Sequence, residues 1–163
     1  MEFLSAADKH IGRINLVDIR ADLHTFGIEY PSSGQNVGFL RQRIKNDEIV
    51  IAIEGEDLSG FIVFEVFWKE KVCYIHQISV APEYQRQGIA TTLMEKAIER
   101  AKMKGCDIIS LTTTLSAPWG VGLYQKLGFL QKELEDVHQE IQPYLQGGLV
   151  YQPETKGYFE LRV

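Results

Sequence analysis

Between Val80 and Ala90 the chain reads Val-Ala-Pro-Glu-Tyr-Gln-Arg-Gln-Gly-Ile-Ala, and here the residue types and spacing point most directly to chemistry. The run follows an apolar stretch and opens the longest helical pattern in the sequence. The first N–H groups of a helix have no partner inside it, and the aligned peptide dipoles add positive potential at the same end. A phosphate suits such a terminus. Gly88 removes a side chain where an anion would approach, Arg86 adds charge, and Gln85 and Gln87 bring hydrogen-bond donors. No Gly-Lys-Ser/Thr follows, so this is not a Walker A loop, and the three glycines of a dinucleotide fingerprint are missing. On residue chemistry alone, an ordinary strand-to-helix connection with Gly88 in a tight turn fits equally well.

The elements that must position this turn follow from the hydrophobic period. Upstream, Ile49–Ile53, Gly60–Trp68 and Val72–Val80 are apolar runs rich in β-branched and aromatic residues. The turns Glu54-Gly55-Glu56-Asp57 and Lys69-Glu70-Lys71 separate them, which predicts a three-stranded antiparallel meander. Downstream, Ile89, Leu93, Ala97, Ile98 and Ala101 recur every three or four residues, with Glu95, Lys96, Glu99, Arg100 and Lys102 on the other side and Gly105 as terminator. Asp107–Thr114 is the next strand. Strand, helix and strand make a βαβ unit with parallel strands and a right-handed crossover. Ile11–Phe26 (Ile14, Leu16, Val17, Leu23, Phe26) and Val37–Ile44 (Phe39, Leu40, Ile44) carry looser helical spacing, with the breaker Pro31-Ser32-Ser33-Gly34 between them. Pro118–Leu127 reads as a short helix and Gly157–Val163 as a last strand; Glu133–Pro153 has no clear period, helical in part or loop. The order α, α, β, β, β, α, β, α, β predicts an α/β protein with a mixed, mainly antiparallel sheet. A single crossover excludes the doubly wound nucleotide fold.

Composition narrows the classes further. A chain of 163 residues suits one domain spanning 1–163 and can bury a core without disulfides or a structural metal. Its 45% hydrophobic and 24% charged residues exclude disorder. A net charge of -5 disfavours nucleic-acid and anionic-membrane partners, which need a clustered basic face. Cys73 and Cys106 lack a second cysteine or close histidine at ligand spacing, so they read as reduced, buried thiols, and no metal is expected. No run approaches the roughly 20 apolar residues of a membrane span. The start, Met1-Glu2-Phe3-Leu4-Ser5-Ala6-Ala7-Asp8, lacks a basic n-region before an apolar run, so a cytoplasmic location is expected.

Gln85-Arg86-Gln87-Gly88-Ile89-Ala90 resembles the Gln/Arg-x-x-Gly-x-Gly/Ala signature of the GNAT superfamily of N-acetyltransferases, and Ile78-Ser79-Val80-Ala81-Pro82-Glu83 resembles the strand that leads into it. Downstream, Leu123-Tyr124-Gln125-Lys126-Leu127-Gly128-Phe129 is similar to the family's Tyr-x-Lys-x-Gly-Phe helix end. The likeness is strong from about Val72 to Phe129 and only compatible outside it. It implies helices on both faces of the sheet and two parallel strands, Val72–Val80 and Asp107–Thr114, that splay apart around a pantetheine arm.

The same resemblance implies an acyltransferase that moves the acetyl group of acetyl-CoA, its cosubstrate, to a primary amine. Main-chain groups near Ile78, Ser79 and Val80 would hold the acetyl carbonyl and pantetheine. The turn residues Gln85, Arg86, Gln87, Gly88, Ile89, Ala90 and Thr91 would hold the pyrophosphate. Tyr124 matches the tyrosine that serves many relatives as the acid for the departing thiolate, or packs against the sulfur, and Lys126 belongs to the same helix end. His76, two residues before Ile78, stands where relatives can carry a base; Gln77 would orient substrate or water. Glu29, Glu65 and Asp8 are fallback carboxylates. The asparagine that many relatives place before the Tyr-x-Lys helix is missing from Thr112–Gly120, and Ser116 or Thr113 is the substitute. Trp119 reads as core. Phe26, Tyr30 and Phe67 line a pocket or belong to the core. A small amine is the expected acceptor, since no extended peptide-binding motif stands out, and the resemblance admits a homodimer. A non-catalytic CoA-thioester-binding module, and a transferase using another acyl group, meet the same motifs.

Overall fold

The computed structural model describes residues 1–27, 34–116, 120–142 and 156–163. In chain order the elements are β1 (Glu2–Ser5), α1 (Ile11–Phe26), α2 (Val37–Lys45), β2 (Ile49–Glu54), β3 (Asp57–Phe67), β4 (Val72–Val80), α3 (Ile89–Met103), β5 (Ile108–Thr114), α4 (Gly120–Lys126), β6 (Leu130–Lys132) and β7 (Lys156–Arg162). Seven strands form one sheet in the order β1-β2-β3-β4-β5-β7-β6. β4 and β5 are parallel, and β1–β2, β2–β3, β5–β7 and β6–β7 are antiparallel. The chain is a mixed, mainly antiparallel α/β protein with one βαβ crossover, as the period of its apolar residues predicts. The edge strands β1 and β6 escape that reading because they are four and three residues long and largely exposed, too short to show an alternation.

Contacts divide the chain into two compact units. The first comprises Met1–Glu65 and His76–Arg100. Its helices bury Ile11, Ile14, Val17 and Leu40 against Ile49, Ile51, Phe61 and Val63 of the sheet. Each large apolar side chain fully removed from water here contributes roughly 1.5–3 kcal/mol. Leu16 and Leu23 lie outside it, 56% and 50% exposed. Two residues beyond Ile14 is about 200° around a helix, so Leu16 cannot share its face. Asn36 caps α2, its side chain accepting from Phe39 N–H at 3.0 Å. Gly60 in β3 matters for close approach: a Cβ there would lie 3.0 Å from the Ser79 carbonyl oxygen and 3.3 Å from side-chain carbons of Ile89 and Leu93. Its bare backbone lets the start of α3 settle onto the sheet.

The second unit comprises Val66–Ile75 and Ala101–Val163. Here β5 pairs along its length with β7, from Ile108↔Arg162 to Thr114↔Lys156. Val72, Tyr74, Val137, Ile141 and Tyr158 form its cluster, with Phe67 packed against it. Cys73 and Cys106 are buried, and neither is in a disulfide. Pro118 and Trp119, most of the segment Glu133–Pro153, and Tyr30 lie outside the described residues. Among the described residues no helix is long and apolar enough to cross a membrane.

Candidate active site

The turn before α3 is built by its own side chains. Gln85 Nε2 donates to the Val80 carbonyl at 3.1 Å and Gln87 Nε2 to the Glu83 carbonyl at 3.3 Å. Arg20 holds the Glu83 carboxylate at 2.9 and 3.1 Å, and Tyr84 OH donates to Asp57 at 2.9 Å. The two glutamines, read from sequence as donors to a bound anion, therefore brace the turn. Arg86 is exposed. Arg86 and Gly88 both have positive φ, 62° and 81°. A Cβ at Gly88 would meet nothing within 4 Å, so the backbone angle, not crowding, calls for glycine there. The first bond of α3 runs from Thr92 N–H to the Gly88 carbonyl at 3.1 Å. The N–H groups of Ile89, Ala90 and Thr91 thus lie ahead of the helical ladder, where an anion can take them up. A groove of about 500 Å³ runs beside them, with Phe3, Tyr84, Gln87, Gly88, Ile89 and Thr92 among its lining.

β4 leads into this turn, and it is irregular at one step. Its ladder with β5 runs from Val72↔Ile108 to Ile75↔Leu111, although β4 continues to Val80 and β5 to Thr114. Directly after Ile75, the period-two alternation of a strand fails. His76 turns to Glu65 of β3 and meets the Phe39 ring of α2 edge-on at 4.9 Å. Gln77, the next residue, turns to Asp18 of α1. Since α1 and α2 pack on the same sheet face, two consecutive side chains share one side, the signature of a bulge. His76 and Gln77 are also the two half-exposed residues in an otherwise buried strand.

Each of these side chains meets a carboxylate. His76 Nε2 lies 2.9 Å from Glu65 Oε2; Glu65 Oε1 lies 2.6 Å from Arg43, which also reaches the fully buried Glu48 at 3.2 Å. A carboxylate accepts only, so the His76 proton sits on Nε2 and Nδ1 is the basic nitrogen. Burial holds the imidazole below its ordinary pKa, against the opposing pull of Glu65, and Arg43 adds to the lowering. His76 is therefore a neutral imidazole at pH 7, able to accept a proton. Beside it, Asp18 is 1% exposed and receives Gln77 Nε2 and Ser79 Oγ, each at 2.8 Å, and Gln35 Nε2 at 3.0 Å. Gln77 Nε2 also donates to Ser79 Oγ at 3.0 Å. Of the fallback carboxylates, Glu65 lies in this region, Asp8 pairs with Arg41 on the surface, and Glu29 lies outside the described residues.

In the second unit Tyr124 is buried on α4 between the rings of Phe129 and Phe159, with centroids 6.0 and 6.3 Å away. Phe129 N–H donates to the Tyr124 carbonyl at 3.0 Å, which closes the helix as the Tyr-x-Lys-x-Gly-Phe likeness leads one to expect. Burial pushes the Tyr124 phenol up to about 12, and a hydrogen bond with Thr113 pulls the other way. Lys126 and Ser116 are exposed.

Asp18, Gln35, Arg43 and Glu48 are absent from the sequence reading. Asp18 left a signal: it falls four residues after Ile14 and three before Ala21, inside the buried stripe of α1, where a carboxylate is out of place.

The strand whose alternation breaks thus runs into a braced turn and on to the start of α3. The acetyltransferase (GNAT) family profile matches residues 15–129, and this chain belongs to that family. It is 33% identical over 101 residues to an uncharacterised N-acetyltransferase of Methanocaldococcus jannaschii, covering 59% of this chain and 44% of that protein. It is also 33% identical over 84 residues to N-alpha-acetyltransferase 30 of Homo sapiens, covering 50% of this chain and 23% of that protein. The matches thus span less than half the length of these curated relatives. In fold it is similar to the PaiA N-acetyltransferase of Thermoplasma acidophilum, solved in complex with coenzyme A, with a TM-score of 0.76, 17% identity, and 99% and 98% of the two chains covered.

Proposed function

We propose that residues 1–163 act as one acyltransferase domain that transfers the acetyl group of acetyl-CoA to a primary amine, by direct attack in a ternary complex. The observation that carries this reading is the run of N–H groups at Ile89, Ala90 and Thr91, ahead of the α3 ladder and immediately after the irregular strand. These groups, with Gln87 and Gly88, fit a pyrophosphate; Arg86 adds charge at the rim, and the main chain of Ile78 and Val80 takes the acyl and pantetheine end. Acetyl-CoA supplies an activated thioester. The chain must supply a neutral amine, a donor for the oxyanion and relief for the leaving thiolate.

An alkylammonium with a pKa near 10.4 leaves about one molecule in 2,500 neutral at pH 7, a deficit of roughly 4–5 kcal/mol. His76 Nδ1, kept uncharged at neutral pH by burial, is the group that takes a proton from the ammonium to free its lone pair. The Ile78 N–H donates to the developing oxyanion. Tyr124, at about 12, stays protonated at neutral pH. Full transfer of its proton to a thiolate of pKa near 8.5 would run uphill by about 5 kcal/mol. Tyr124 therefore acts by donating a hydrogen bond to the sulfur, and the second proton, lost from nitrogen as the C–S bond breaks and the amide forms, completes the thiol.

The sequence reading favours a small amine as acceptor. A second reading, the α-amine of a polypeptide, is supported by the likeness to N-alpha-acetyltransferase 30. Isothermal titration with acetyl-CoA, dephospho-CoA and desacetyl-CoA is the first test. We expect 1:1 binding of acetyl-CoA that is lost in Gly88→Glu, where a side chain meets a positive φ and a carboxylate meets the anion site. No binding to the folded protein would sink the reading. Thiol release with small amines and with short free-amino peptides then separates the two acceptors.

A further inference from the structure

We infer that Asp18 fixes the orientation of the Gln77 side chain so that Gln77 Oε1 faces outward as the hydrogen-bond acceptor for the incoming amine. This rests on the acetyl-transfer reading above. A glutamine amide has two faces that X-ray shape alone barely distinguishes, and its partners decide which is which. Here Gln77 Nε2 donates to Asp18 Oδ1 at 2.8 Å, and Ser79 Oγ, 3.0 Å from the same nitrogen, donates to the same carboxylate oxygen. The reverse orientation would set an oxygen against the Asp18 carboxylate and lose the bond to it. Ser79 cannot rescue it, because its own proton is committed to Asp18 at 2.8 Å.

Asp18 is suited to this task. It is 1% exposed, and among the described residues no lysine, arginine or histidine pairs with it. Its partners are the neutral donors Gln77, Ser79 and Gln35, and Gln35 is itself tied to α1 by two main-chain bonds to Asn15, at 2.7 and 3.1 Å. A buried negative charge held only by dipoles polarises them, so the Gln77 amide points its positive end inward and its oxygen outward. That oxygen accepts no hydrogen bond among the described residues and is not sealed from solvent. Gln77 immediately precedes Ile78, on the half-exposed step of β4. A primary amine carries at least two N–H bonds, one for Gln77 Oε1 and one for the base, which leaves its lone pair oriented. Asp18 acts through Gln77 and is a positioning residue.

Two arms test this on the full chain. In ¹⁵N-glutamine-labelled protein, with Gln77→Met assigning the resonance, the Gln77 side-chain proton that faces Asp18 should exchange with water roughly tenfold more slowly than those of exposed glutamines, and lose that protection in Asp18→Ala. Exchange as fast as in exposed glutamines overturns the orientation. In steady-state thiol release, using whichever small amine or free-amino peptide the wild type acetylates, the amine KM should rise roughly tenfold in both variants while the acetyl-CoA KM stays within about twofold. The double variant Asp18→Asn/Gln77→Glu places a donor at 18 and an acceptor oxygen at 77, and should restore the amine KM. Equal losses of kcat with an unmoved amine KM would assign Asp18 a purely structural role. If the wild type acetylates no amine, the acetyl-transfer reading and amine recognition fail together, and the exchange arm alone decides the Asp18–Gln77 orientation.

Discussion

Asp18 and Glu48 are both buried carboxylates in the first unit, 1% and 0% exposed, and their surroundings differ in kind. Glu48 shares the Arg43 guanidinium with Glu65, and through Glu65 the network reaches His76. Asp18 sits among two amides and a hydroxyl. An ionic partner fixes how much charge a site holds and which nitrogen of an imidazole carries a proton. Neutral donors leave the charge uncompensated and fix orientation instead. Adjacent residues of one strand, His76 and Gln77, are thus set by two different physical means.

Removing the cation should break the contrast most severely. Arg43→Met leaves Glu48 and Glu65 without their shared partner, and losing one side of a buried pair costs about 3–5 kcal/mol. Urea unfolding should show that loss; a change below about 1 kcal/mol, the level of exposed pairs, would mean the network is open to water. Asp18→Asn should cost less, about 1–3 kcal/mol, because the isostere keeps some of its hydrogen bonds and removes a charge no cation was balancing. If it costs more than Arg43→Met, the ranking drawn here is reversed. The smallest effect is a pH slope. The folded state lowers the pKa of His76, so the unfolded chain binds more protons once pH falls below the ordinary imidazole value of 6.5. Stability should be flat above about pH 7 and decline below about 6.5, by at most about 1.4 kcal/mol per pH unit from this group. His76→Gln should flatten that part of the curve, and an unchanged slope would assign it to other groups.

Much of the fold was legible because its signals are local. The meander, the α3 stripe and the Tyr-x-Lys-x-Gly-Phe helix end each lie within a window of one element, and α3 appears where Ile89, Leu93, Ala97 and Ala101 place it. What stayed hidden depends on partners distant in sequence. Asp18 meets Gln77 and Ser79, 59 and 61 residues away, and no local pattern announces the meeting. The break between His76 and Gln77 is equally silent, since both are polar and neither disturbs an apolar alternation. Gln85 and Gln87 show the converse: their types suggested ligand contacts, and the sequence held no sign that each also ties the turn to a carbonyl, of Val80 and Glu83.

The start of α3 also bears on how such a protein changes over generations. The groups at Ile89, Ala90 and Thr91 that lie ahead of the ladder belong to the main chain, and every residue except proline carries one. Point substitution can crowd or bend them but seldom delete them. The half-exposed atoms at 76 and 77 are side chains, and one codon change replaces them. Under the proposed function, a lineage built this way can exchange its acceptor contacts at β4 many times over while the cofactor contacts at the helix start are inherited intact.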